Sequence, residues 1–436
     1  MEALLERALQ SVPQVEIYEQ KLQSDQIQFE NGRLKEIETK MQSGLSLRII
    51  KDGCLGFAYT RNLVNPDVLV REALDSLQGG VEAPFDFPAD PPPPTKALRT
   101  HDPHFMEWSN TALVEEGRRI CDTLSGSLQA QVNVSIHRQD QEIRLLNSRG
   151  FDQSIRSTFY FLNASLLFPG SQAGLERHLA SQGFERFPEE QLAFLQELFK
   201  QSTKEVRPLP GKMKVLFFPE TLYALIWRIQ AAANGKNIYE KTSPLLNKLE
   251  TALFDSKLSL YDDPLNDAQP FARSFDDEGI PCRRLSIIEG GVLKNFYYDL
   301  FYGAKLKKPP GGQGFKSGLW GGETVALKPK PTLEYLYLLP GEKSLEALVR
   351  SMDRGLLAAG ILGAHSGNIL NGDFSIGLAP AIYVENGEII GRVKDAMAAG
   401  NIYESLKNVV ALEDRGHSTY GGTFPSLLLD QVNVAW

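Results

Sequence analysis

Four dipeptides set the tightest limit on how this chain can fold: Asn31-Gly32, Asp52-Gly53, Gly290-Gly291 and Asn386-Gly387, each lying between two runs of β-forming residues. Such pairs tolerate positive φ at both centre positions of a two-residue turn, so each predicts two antiparallel strands joined directly. Around the first two turns the runs are Val15–Glu19, Ile27–Glu30, Leu34–Lys40, Gly44–Ile50 and Cys54–Thr60. Around the later two they are Cys282–Ile288 with Val292–Asp299, and Ile382–Val384 with Ile389–Val393. Further strands are expected at Val132–Arg138, Glu142–Leu146, Ser157–Phe168 and Met213–Phe218. Helical spacing appears separately, before Pro13, from Asn65 to Gly79, and over Ser109–Leu124, Glu189–Lys204 and Glu220 to about Asn234. The expected class is therefore α+β, with antiparallel meanders in an N-terminal α/β domain and a strand-rich C-terminal domain.

A chain of 436 residues exceeds one ordinary core. Residues 1–83 read as a helix plus meander, and 84–100 as a Pro-rich, extended linker with six prolines between Pro84 and Pro94. Residues 101–207 form a middle α+β region expected to pack with the first. Pro208-Leu209-Pro210-Gly211 then opens a C-terminal domain over 208–436.

Charge and targeting signals narrow the function. A net charge of -8 argues against direct nucleic-acid binding, which needs concentrated Lys and Arg. The acidic start lacks a secretory pattern, and no apolar run reaches membrane-spanning length. The three cysteines, Cys54, Cys121 and Cys282, are far apart and suit a reducing compartment as buried thiols. A cytoplasmic location is expected.

Motifs for chemistry are sparse. Of six histidines only His101 and His104 are close, and Pro103 between them places them in a solvated loop. Gly363-Ala364-His365-Ser366-Gly367-Asn368 sets a serine beside a histidine, a geometry that seldom makes a nucleophile and its base. Gly311-Gly312-Gln313-Gly314-Phe315-Lys316-Ser317 departs from phosphate-loop spacing and reads as a mobile or substrate-facing loop within Pro309–Gly322. Asp262, Asp263, Asp267, Asp276, Asp277 and Glu278 read as solvated turns. Asn401, with Glu404 three residues on, reads as the cap of a helix reaching about Val410.

Several stretches jointly resemble the TldD/PmbA family, also called modulators of DNA gyrase. They are Gly44–Gly53 with Gly56–Thr60, Asn147-Ser148-Arg149-Gly150, Tyr239-Glu240-Lys241-Thr242-Ser243 and Phe275-Asp276-Asp277-Glu278-Gly279. Gly372-Asp373-Phe374-Ser375, Val384–Glu388 and Ala399-Gly400-Asn401 complete the set, in the family's order. TldD-type members carry His-Glu-x-x-x-His on the helix after the first C-terminal strand, and a later Cys. The corresponding helix here, Leu222 to Asn234, has Trp227 and Ala232 near the two histidine positions, and Thr419–Pro425 stands where the Cys would be. The resemblance thus points to the PmbA (TldE) branch, with no catalytic or metal-ligating residue and no cofactor in this chain.

That branch implies a subunit of a heterodimeric metallopeptidase. Its TldD-like partner would carry zinc, the pair would act on small unstructured peptides, and a homodimer could form when the partner is missing. Candidate cleft residues are His365, Ser366, Asn368, Asp373 and Asn401. Two alternatives stand beside this reading. One is a self-sufficient peptidase with a displaced metal site using His365, Asp373 or His417; the other is a non-enzymatic regulatory binding protein.

Overall fold

A computed structural model describes residues 1–89, 97–126, 128–317 and 323–436. All four dipeptides turn with both residues at positive φ: 51° and 72° at Asn31-Gly32, 50° and 73° at Asp52-Gly53, 53° and 78° at Gly290-Gly291, and 51° and 80° at Asn386-Gly387. The hairpins they close are antiparallel.

Helix α1 (Glu2–Leu9) leads into strands β1 (Gln14–Glu30), β2 (Arg33–Lys51) and β3 (Cys54–Thr60). Runs expected as separate strands are fused. Val15–Glu19 and Ile27–Glu30 are both part of β1, and Leu34–Lys40 and Gly44–Ile50 both part of β2. The polar residues between them, such as Gln20 to Asp25, are poor strand formers, yet β1 pairs on both edges through that stretch. Ladder hydrogen bonds on two sides override local propensity. The same holds for β4 (Gln131–Asn147), which unites two expected strands and pairs with β5 (Asp152–Leu167).

Helix α2 (Pro66–Ser76) is capped by the Asn65 side chain, and α3 (Asn110–Ser125) by Ser109. Strand β6 (Gly174–Ser181), which lacks a clear apolar run, completes an antiparallel sheet in the order β3-β2-β1-β4-β5-β6. Helix α4 (Glu189–Gln201) follows.

Strand β7 (Gly211–Phe217) enters a second sheet of nine strands. Its central strands are apolar at consecutive positions because both faces are covered. Val215, Phe217, Leu356, Ala358, Leu427 and Leu429 pack to one side, with helix α5 (Tyr223–Ala233). Leu216, Phe218, Leu357, Ala359 and Leu428 pack to the other, against α3, α4 and the N-terminal sheet. The same core thus spans both halves of the chain. A third, six-stranded sheet of short strands ends in the hairpin His417–Thr419 and Gly422–Phe424. Among the described residues no helix is long and apolar enough to cross a membrane.

Three expectations need correction. The Pro-rich segment is not simply surface-lying: Phe87 is fully buried under the Arg48 guanidinium, and its N–H donates to the Gln14 side chain. Residues 90–96 of it lie outside the described residues. The glycine-rich loop is likewise buried over Gly311–Lys316, because a Cβ at Gly314 would sit 2.2 Å from a Glu278 oxygen. Its 318–322 portion lies outside the described residues. The helix after Asn401 is only Ile402–Ser405, since Val409–Leu412 is drawn into the nine-stranded sheet.

Candidate functional site

Helix α5 has two faces. Leu222 just before it, with Leu225, Ile226 and Ile229, is buried in the core, and so is Ala232, whose carbonyl accepts the Ser243 hydroxyl at 2.6 Å. Tyr223, Trp227 and Gln230, at helical spacing, turn the other way into a cleft of about 590 Å³. Facing them are Glu176 and His178 from β6, His365 from the loop after Leu362, and the hairpin tip Thr419-Tyr420-Gly421. The helix and the hairpin stretch that family resemblance sets against a metal-binding pair and a cysteine therefore meet on one cleft.

Two buried charge arrangements shape this cleft. Arg228, pointing inward from α5, donates Nε to the Asp373 carbonyl at 2.8 Å, Nη1 to Ala364 at 3.1 Å and Nη2 to Ser366 at 2.7 Å; Nη1 also reaches the Ala224 carbonyl. It clamps the loop that presents His365. Burial lowers its pKa, and Asp373 opposes this. Behind the hairpin, the Glu413 carboxylate meets His417 at 2.9 Å and accepts the Ser426 N–H and hydroxyl at 3.0 and 2.7 Å. Burial raises the Glu413 pKa, but His417 and Ser426 outweigh it and bring it down to about 2. At the cleft, burial raises Glu176 while His178, 3.6 Å away, and Asn163 lower it further. Glu220 is held by Arg177 at 2.7 Å.

Of the candidate residues, His365 lines the cleft. Ser366 contributes its backbone to the Arg228 clamp, and Asn368 caps a turn through the Asn371 N–H. Asp373 and Asn401 hydrogen-bond each other at 2.9 Å, and the Asn401 side chain caps the short helix through Tyr403. His365, Asp373 and His417 are thus engaged in separate places. Glu176, His178, Tyr223 and Arg228 carried no motif; the helical spacing of Tyr223, Trp227 and Gln230 was the one available signal.

Of the acids expected in solvated turns, Asp263 and Asp267 are partly exposed, whereas Asp276, Asp277 and Glu278 form a buried knot. Arg48 of β2 joins Glu16 of β1 at 2.6 Å and Glu278 at 3.1 Å. Asp276 accepts N–H groups of Glu278, Ile280 and Gly314; Asp277 accepts Arg273 at 2.7 Å and the Lys316 N–H at 2.8 Å. Asp262, fully buried, is pushed up to about 8 by desolvation, against the Tyr335 N–H it accepts. Closely spaced acids look solvated in sequence because their partners lie on distant segments.

The profile of the PmbA/TldA metallopeptidase C-terminal domain matches residues 210–436, and that of domain 1 matches residues 15–77. The chain belongs to the PmbA/TldD family. A metalloprotease PmbA homolog of Haemophilus influenzae is 26% identical over 74% of this chain and 67% of its own length. TldE of Thermococcus kodakarensis superposes with a TM-score of 0.89 at 21% identity, over the whole of both chains. A candidate modulator of DNA gyrase from Thermotoga maritima gives 0.88 at 25%, again over the whole of both chains. On α5 the positions that the family resemblance sets against metal ligands are Trp227 and Ala232. Zinc needs three or four convergent N, O or S donors. Here Trp227 and the buried Ala232 offer none, His178 faces Glu176, and Glu220 is taken by Arg177. No group of three His, Cys, Asp or Glu residues among the described residues is placed to hold a metal.

Proposed function

We propose that this chain is the PmbA/TldE-like subunit of a two-chain metallopeptidase, pairing with a TldD-like chain that carries the zinc. Its α5 cleft would receive a segment of a small unstructured peptide while the partner performs hydrolysis. The observation that carries this reading is the face of α5, where Tyr223, Trp227 and Gln230 line an open cleft, Trp227 near the first histidine position of the family motif. Indole and phenol rings hold extended peptide well because they combine apolar area with a polar edge. Glu176, His178 and His365 at the same cleft supply polar groups for peptide orientation.

Co-expression with a TldD-like chain tests this. The expected result is one co-eluting complex that contains zinc and cleaves an unstructured peptide, with KM raised by Trp227→Ala. Separate elution of the two chains, or stoichiometric zinc on this chain alone, overturns it.

A further inference from the structure

A second cleft, of about 250 Å³, opens between β1, β4 and β5 on one side and the loops around Arg273, Lys316 and Glu334 on the other. Ion pairs lie at and beneath its lining. On its lining Arg273 joins Asp277, and behind them Arg48 joins Glu16 and Glu278. The two bases at the cleft are committed: Arg273 to Asp277, and the Lys316 ammonium to the Ser46 hydroxyl at 2.6 Å and the Leu327 carbonyl at 2.9 Å. The Arg273 Nε remains buried without a hydrogen-bond partner.

Glu334 lies outside these pairs. It lines the cleft, and among the described residues its carboxylate accepts no hydrogen bond and joins no ion pair. Burial pushes its pKa up to about 7, with Arg273 opposing and Asp277 reinforcing, so its charge is poorly compensated. The same cleft is lined by Phe159 and Phe271, with ring centroids 4.4 Å apart, and by Ile143 and Ile155. A half-desolvated carboxylate and an aromatic pair on one cleft can hold an organic cation, through one charge-assisted hydrogen bond and a cation–π contact.

We propose that this cleft binds a primary ammonium group attached to an apolar or aromatic body, paired with Glu334 and lying against Phe159 and Phe271. An inorganic divalent cation would need several free oxygen ligands, whereas one uncommitted carboxylate suits a single ammonium. The ammonium can belong to a free amine or to the N-terminus of a short peptide. The inference is independent of the α5 cleft and of any partner chain.

The test uses the full chain titrated by calorimetry with benzylammonium chloride, benzyl alcohol, and a phenylalanine-led dipeptide amide with its N-terminus free or acetylated. Benzylammonium, the free-N dipeptide or both should bind, at least about tenfold more tightly than the uncharged counterpart. Which of the two binds identifies the source of the ammonium. Glu334→Gln, close to isosteric, should weaken binding by about tenfold or more, and Phe271→Leu by a smaller factor. Benzyl alcohol or the acetylated dipeptide binding as tightly as its charged counterpart overturns the proposal. So does unchanged affinity in a folded Glu334→Gln chain, or no binding by either amine.

Discussion

Two clefts of this molecule, the α5 cleft and the one over β4 and β5, differ in how they are built. The α5 cleft is walled by Tyr223, Trp227 and Tyr420 with Glu176, His178 and Glu220, and the Arg228 clamp and the Glu413–His417 pair hold the segments around it. The cleft over β4 and β5 has its charge at the floor, in a knot that ties the N-terminal strands to the C-terminal loops. In the first, Arg228 is satisfied by carbonyl oxygens, which carry only partial charge. In the second, Arg48 joins carboxylates from two distant segments, Glu16 and Glu278. The lesson is one of fragility. Losing one member of the knot strands a buried ion, whereas losing one member of the α5 frame strands a dipole or frees a loop.

The largest expected break follows from Arg48→Met. It leaves the buried Glu16 and Glu278 carboxylates facing each other and should cost about 3–5 kcal/mol, measured by urea denaturation. A loss under about 1 kcal/mol would mean that the two carboxylates find other partners, and that the clefts differ less than their charges suggest.

Next comes acid sensitivity at the α5 hairpin. The Glu413 carboxyl is held below its ordinary value near 4.5, at about 2, so its stabilisation is present above pH 4.5 and is lost as pH falls toward 2. Roughly 3 kcal/mol disappears over that window. Glu413→Gln should flatten that part of the stability–pH curve, and an unchanged acid limb refutes the role given to the pair. The smallest effect is expected from Arg228→Met, about 1–3 kcal/mol from carbonyls left without a donor. Its sharper readout is amide exchange, which should speed up in Ala364–Asp373 and leave the Arg48 region protected.

How much of this was legible beforehand differs between the two regions. Helical spacing set Tyr223, Trp227 and Gln230 on one face of α5 and the buried Leu225 and Ile229 on another, so the composition of that cleft wall could be read locally. His365 was picked out by its neighbours Ser366 and Asn368, which turn out to serve the backbone of the loop. Glu176 and His178 could not be found this way, because β6 carries few apolar residues to announce a strand. The knot was invisible for a different reason. Glu16, Arg48 and Glu278 lie far apart in the chain, and Asp276-Asp277-Glu278 look like a hydrophilic turn until their partners are known.

The sequence by itself determined the hairpins, through residues that adopt positive φ at Asn31-Gly32, Asp52-Gly53 and Asn386-Gly387, and it determined the two faces of α5. These are local properties, carried by backbone sterics and a 3.6-residue period. Only the tertiary structure decided that β1, β2 and β4 run unbroken through polar stretches, and that a cluster of acids is buried. It alone placed the α5 face opposite the 417–424 hairpin. Strand pairing and charge compensation depend on which distant segments meet, and no local pattern encodes that.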